Sequence, residues 1–245
     1  MEPFPVTPEH ADKTLAALLR ALLPGQSWSQ VRQHIAARRK ALSPTLEDIV
    51  PRLIRQQEGR FQKGPPPRPR IVQRLDKETS GLVVFARTVA AERGLGKQFH
   101  AHTVHRRYLT VVPGYVPKQT IRTRLVRDRG DGRRGSTGLA DQGKEAVTHV
   151  EPVERLPGYT LVACRLETGR THQIRIHLAE LGHPVCGEKV YGPRADTSGA
   201  PRLALHAAEL GFRHPATGEE MRWTMPLPPD LEAFVQRLRE GGKAR

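Results

Sequence analysis

RLDKETSGLVVFA, residues 74–86, is the stretch on which the reading of this 245-residue chain turns. It sets an acidic side chain, Asp76, between Arg74 and Lys77, just ahead of a Thr-Ser-Gly turn. The apolar run 82–86 follows at once and reads as a buried strand. A carboxylate beside a sharp turn and a core strand is held on rigid backbone, where a reacting group is best positioned. Asp, Thr, Ser and Gly are also ordinary turn residues, so an aspartate that merely caps a loop is the competing reading. A second segment, TGRTHQIRIH at residues 168–177, supplies the fixed cation that such a carboxylate needs.

Outward from these two segments the chain alternates short strands with a few helices. Residues 109–112, 146–153 and 160–166 have strand composition or alternation. Residues 171–181 have helical spacing, with Ile174, Leu178 and Leu181 facing inward and Gly182 as a C-cap. On that spacing Arg175 leaves the buried stripe near the helix start. The predicted class is α+β, a mainly antiparallel mixed sheet with flanking helices.

Ahead of this region, residues 12–39 read as two helices. Leu15, Leu18, Leu19 and Leu22 form one apolar face, and Pro24-Gly25 breaks the helix. Ser27 with Gln30 makes a capping-box start, followed by an apolar face of Trp28, Val31 and Ile35. Residues 65–67 are consecutive prolines, which favour an extended conformation. Three regions are expected: a small helical module at 1–45, a Pro/Arg-rich linker at 46–70 and a main domain at 71–240.

Lys and Arg outnumber Asp and Glu by 40 to 25, a formal charge of +15. That balance suits a phosphate backbone better than a small neutral substrate, with a basic surface kept for solubility as the alternative. The segment RDRGDGRRGSTG at 127–138 reads as a mobile loop, either a clamp on RNA or solvated charge. No stretch approaches the ~20 apolar residues of a membrane-spanning helix, and the N-terminus lacks a signal peptide's apolar core. Cys164 and Cys186 have no metal-ligand spacing and read as reduced thiols in a cytoplasmic protein. His172 and His177 are five apart, which on a helix turns them ~140° from one another, so no metal site is expected there.

Four ordered blocks, residues 74–88, 90–114, 165–192 and 202–230, resemble the RluA-type family of RNA pseudouridine synthases. The resemblance spans about residues 72–230, with a less similar insert at 118–143. It implies the pseudouridine synthase catalytic fold, and RNA (rRNA or tRNA) as the partner of a monomeric enzyme that needs no cofactor. Two positions depart from the family pattern. Gln73 stands where the family has His, and residues 49–70 are charged and proline-rich where it has an apolar strand ending in Lys-Pro. The helices at 12–39 resemble half of a small RNA-binding module, with a plain helical hairpin as the alternative.

The resemblance makes Asp76 the essential aspartate, attacking either the sugar or the uracil ring. It makes Arg175 the arginine paired with that aspartate, and Tyr108 the tyrosine that stacks on the flipped base. Arg74 resembles the arginine that fills the gap the base leaves, and Arg170, His172 and Gln173 fall in the block expected to hold substrate. Lys189 and Tyr191 are expected to support the pocket wall or the RNA. The function implied is isomerisation of specific uridines in RNA. The alternative is a relative that lost its pocket with the missing strand and binds RNA or assists ribosome assembly without catalysis.

Overall fold

Strand β4 (His105–Pro113) sets the architecture, because its alternating burial gives it a core face and a second face that is half covered. The computed structural model describes residues 49–51, 69–192 and 196–241. The expected helices at 12–39, the module at 1–45 and most of the expected linker at 46–70 lie outside the described residues. Residues Arg70–Arg245 make up one compact unit.

In chain order the unit contains β1 (Arg70–Ile71), β2 (Ser80–Gly81), β3 (Phe85–Ala86), helix α1 (Val89–His100) and then β4. It continues with β5 (Gln119–Val126), β6 (Gly135–Thr137), β7 (Lys144–Leu156), β8 (Tyr159–Leu166) and helix α2 (Gln173–Glu180). It closes with β9 (Leu205–Arg213), β10 (Glu220–Thr224) and helix α3 (Pro229–Arg239). The large sheet has eight strands in the order β10-β9-β4-β8-β7-β5-β6, with β2 added alongside β9. Every pairing is antiparallel except β2 with β9. This is the expected α+β class.

The sheet is irregular at two places, each with a local cause. Between Pro152 and Glu154 the β7–β8 register slips. Proline has no N–H to give the ladder, and the skipped Val153 turns outward, half exposed. Between Arg107 and Tyr108 the β4–β9 register slips as well. The extra residue is Ala208 of β9, so the bulge bends β9 and leaves the alternation of β4 through Arg106 and Tyr108 intact.

The core joins apolar residues of β4, β7 and β8 (Val112, Val150, Val162, Cys164) to Ile174 and Leu178 of α2. Leu231, Phe234, Val235 and Leu238 of α3 belong to the same cluster. These four repeat at the spacing of one helical face. Burial pushes both thiols, Cys164 and Cys186, up to about 12, so they are inert and free.

Three expectations are corrected. The run 82–86 is not one buried strand: β2 ends at Gly81, residues 82–84 belong to no strand, and β3 pairs with β1 instead. The cause is Gly81, at φ +111°, where an added Cβ would stand 2.3 Å from the Ala207 carbonyl oxygen. The chain there runs too close to β9 for any side chain, then turns away. Second, the insert 118–143 is mostly a hairpin, with β5 paired to both β7 and β6. Its Arg/Gly-rich tip is organised rather than loose: Asp128 accepts from the Gly130 and Gly132 N–H groups, and Asp131 accepts from Arg129 and the Arg133 N–H.

Third, α2 is shorter than 171–181 and buried on all sides. Gln173 to Leu178 are six consecutive buried residues, Arg175 among them, while Leu181 is exposed. A helix can bury its polar residues only if each finds a partner, and these do. Gly182 follows the helix at φ +81°, one residue beyond the Leu181 cap.

Candidate active site

Asp76 is placed by a moored turn. The Thr79 N–H donates to the Asp76 carbonyl at 2.9 Å, and β2 pins the next residues to β9. Arg202 adds hydrogen bonds to the Glu78 carbonyl and to Ser80 Oγ, which also meets His206 Nδ1 at 2.9 Å. The Asp76 carboxylate is thereby fixed in a cavity of about 540 Å³, whose wall includes Arg74, Arg106, Tyr108, Arg170, His172 and Arg175.

Arg175 reaches the same carboxylate from α2, with Nη1 3.5 Å from Asp76 Oδ2. This is a long contact. The guanidinium's stronger partner is Glu188, whose two oxygens accept from Nε and Nη2 at 2.7 Å each. Burial opposes the charge on Arg175, yet the hydrogen bonds and charge of Glu188, with Asp76, raise its pKa. Burial likewise works against charge on Glu188, but Arg175 and the Val190 N–H hold its pKa below the usual carboxylate range. Two-point pairing of this kind fixes a guanidinium in angle as well as position. Glu188 therefore aims Arg175, and Asp76 faces the one nitrogen that Glu188 leaves open.

His172 flanks the carboxylate on its other side, with Nε2 3.7 Å from Asp76 Oδ1. Its Nδ1 lies 2.7 Å from the Tyr191 hydroxyl. Burial, with help from Arg175 and Arg134, lowers the histidine pKa against the pull of Asp76 and Glu188, so the ring is neutral near pH 7. Burial raises the Tyr191 pKa, so its hydroxyl keeps its proton. Tyr191 then donates to Nδ1, and the ring's remaining N–H faces Asp76. His172 has the left-handed backbone φ of 59° just before α2, a conformation rare outside glycine. Backbone strain of this kind concentrates at functional sites.

Gln173 is a buried member of the cavity lining. Its amide oxygen accepts from Thr168 Oγ1 and the Arg170 N–H, and its amide nitrogen donates to the Val147 carbonyl and Thr148 Oγ1. All of these lie within 3.0 Å, so the amide clamps the 168–170 turn to β7. Arg170 is half-buried and donates through Nε to the Glu145 carbonyl, while Arg74 is exposed on the cavity wall. Lys189 is exposed and pairs with Glu78.

Tyr108 enters from β4, and burial raises its pKa, with Arg106 opposing and Asp76 adding to the rise. The ring is protonated at neutral pH. The sequence reading assigned no role to Glu188 or Arg106. Buried charges are usually paired, but nothing local in the sequence marks Glu188 as the partner of Arg175.

The model of the RNA pseudouridylate synthase family matches residues 50–180, more than half the chain. The chain belongs to the RNA pseudouridylate synthase family. The match begins upstream of residue 71, within the segment read as linker. Among this family's curated members, an uncharacterized RNA pseudouridine synthase of Bacillus subtilis is 45% identical over 179 residues. That alignment covers 71% of this chain and 57% of the relative. A ribosomal large subunit pseudouridine synthase D of Xanthomonas campestris is 42% identical over 186 residues, covering 71% and 56%. The chain thus spans little more than half the length of these relatives. The solved structure of human RNA pseudouridylate synthase domain containing 1 is similar over 74% of this chain and 77% of its own, with a TM-score of 0.61 at 29% identity. Among the described residues, no helix is long and apolar enough to cross a membrane.

Proposed function

We propose that this protein isomerises uridines in RNA to pseudouridines, with Asp76 as the reacting carboxylate. The observation that carries the reading is the Asp76–Arg175 pair, 3.5 Å apart in a cavity large enough for an everted nucleotide, in a chain of this family. The reaction breaks the ribose C1′–N1 bond, turns the uracil and joins C1′ to C5; the C5 proton leaves to solvent and N1 takes one up. Nothing is oxidised and nothing is hydrolysed, so the balance calls for no redox partner.

Asp76 attacks either C1′ or uracil C6, with the Arg175 guanidinium beside one carboxylate oxygen and the neutral His172 beside the other. Tyr108 offers a ring for the everted base to stack on. Arg74 and Arg170 meet the RNA at the cavity wall, Arg74 filling the space the base vacates. His172 steers Asp76 from the far side, and Gln173 holds the turn that carries Arg170. The presence of Asp76, Arg175 and Tyr108 together favours an enzyme over a binding-only protein. Relatives named for the ribosomal large subunit favour rRNA as the substrate, in the cytoplasm, with tRNA as the other RNA to assay.

The test is tritium release from RNA carrying label at uracil C5. Wild-type protein is expected to release label from a large-subunit rRNA transcript. Asp76→Asn is expected to release none while RNA affinity stays within a few-fold of wild type. A wild type that releases no label from any rRNA or tRNA transcript overturns the proposal.

A further inference from the structure

Among the described residues, Arg106 is a buried cation without a counter-ion. It sits on β4 two residues before Tyr108, so both side chains leave the same face of the strand. Both line the cavity that holds Asp76. The residue is only 6% exposed. Its Nη2 donates to main-chain oxygens, 2.7 Å from that of Glu167 and 3.5 Å from that of Leu166, and the guanidinium lies 5.6 Å from the Phe99 ring centre. Nε is buried with no partner, and Nη1 donates to no described residue. Space is kept beside that open nitrogen: a Cβ on Gly169 would come within 2.6 Å of Nη1.

Arg175, in the same cavity, has two carboxylates; among the described residues Arg106 has none. A guanidinium buried without an anion is costly to the fold, and burial draws its pKa below the usual arginine value, Tyr108 opposing. Its two carbonyl partners orient the group but do not neutralise it. Charge left unanswered beside a reacting carboxylate fits an anion that arrives with the substrate.

The position argues which anion. RNA phosphates stay on the backbone outside the pocket, within reach of exposed Arg74 and half-buried Arg170. Arg106 is recessed beside Tyr108, where the everted base goes. Uracil becomes negative in either route open to Asp76. Attack at C1′ sends the C1′–N1 electron pair onto the ring, shared by N1, O2 and O4. Attack at C6 sends the C5–C6 pair to O4 as an enolate. We propose that Arg106 is a catalytic residue of this cavity, donating from Nη1 to a uracil ring oxygen as negative charge develops there. Once C5 has bonded to C1′ and the Asp76 carboxylate is released, the C5 proton leaves to solvent and N1 takes one up, so the ring ends neutral and Arg106 is unchanged. The role rests on the isomerase reading.

The experiment compares full-length wild type with Arg106→Met, which keeps bulk and removes charge, and Arg106→Lys, which keeps charge. Single-turnover tritium release is measured at saturating protein, alongside RNA affinity and thermal melting. Loss of one preorganised donor at developing charge predicts a rate roughly 10²–10³-fold lower for Arg106→Met. RNA affinity is expected to stay within a few-fold and melting to stay cooperative, while Arg106→Lys recovers part of the rate. A wild-type rate in Arg106→Met overturns the role. So does a loss that is restored entirely by more protein, which marks a phosphate contact. Arg106→Lys no faster than Arg106→Met, with both melting lower, marks a purely structural arginine. If wild type releases no label, the isomerase reading itself falls and this role goes with it.

Discussion

At the scale of single residues, the site is governed by how one guanidinium divides itself between two carboxylates. Glu188 takes two nitrogens of Arg175 at 2.7 Å, and Asp76 takes a third at 3.5 Å. The weaker share suits the reacting role proposed for Asp76, since a carboxylate bound as tightly as Glu188 would be held back from attack. Removing one partner of a buried pair leaves an uncompensated charge, so Glu188→Ala should lower unfolding free energy by roughly 3–5 kcal/mol in urea titration. Glu188→Gln preserves shape and should cost less stability. It frees Arg175 to swing onto Asp76, so its single-turnover rate should fall even at saturating RNA. An unchanged rate in Glu188→Gln would deny Glu188 its aiming role. Asp76, Tyr108 and Arg175 were legible as residue types in recognisable blocks. Glu188 was not, because nothing local in GEKVYG says that the glutamate points inward.

At the scale of elements, two glycines with positive φ test what keeps Asp76 in place. Gly81 combines φ +111° with a backbone approach that leaves no room for a Cβ, whereas Gly158, at φ +72°, has open space around it. Gly158→Ala should cost only about 1 kcal/mol of strain. Gly81→Ala must also push β2 off β9, costing at least about 2–3 kcal/mol and displacing the Asp76 turn, so label release should drop with it. Equal melting temperatures for the two variants would refute this mooring. Helix α2 carries a second test. His177 is fully buried between Thr123 Oγ1 and Thr148 Oγ1, each 2.9 Å away, and burial pushes it down to about 4 from the ordinary 6.5. The folded state therefore takes up its proton later than the unfolded chain. Its contribution is fully present above pH 6.5 and is lost as pH falls toward 4, about 3 kcal/mol in all. His177→Gln should flatten that part of the stability profile in urea titrations across this range. The β5–β6 hairpin was missed for a related reason. Ile121 and Leu125 are buried in β5, but the Gly and Arg of the hairpin tip dominate the composition of the segment.

At the scale of the whole molecule, a formal charge of +15 makes RNA affinity a counterion problem. Raising salt from about 50 to about 200 mM should weaken binding of an rRNA fragment by roughly 10³-fold in filter-binding titrations. Affinity that is flat over that range would remove the nucleic-acid role. With cations in excess, a carboxylate can serve more than one of them. Glu209, for instance, is shared by His105, Arg107 and Arg222, which holds its pKa down to about 2, the Arg222 hydrogen bond foremost. Exposed pairs such as Lys118–Glu151 contribute little beside such a cluster.

The amino-acid order alone determined the α+β class, the strands at 109–112, 146–153 and 160–166, and the chemical groups available for the site. Side-chain alternation and turn residues act within a few positions, so a reader of the chain can see them. Only the tertiary structure decided that α2 is buried on every side, that Gly81 breaks the run 82–86, and that Glu188 holds Arg175 more closely than Asp76 does. Those outcomes depend on groups that are remote in the chain, 99 positions apart for Arg175 and Asp76. Exclusion of water joins them: once a polar group is buried, its partner is whichever atom the packed sheet brings within reach.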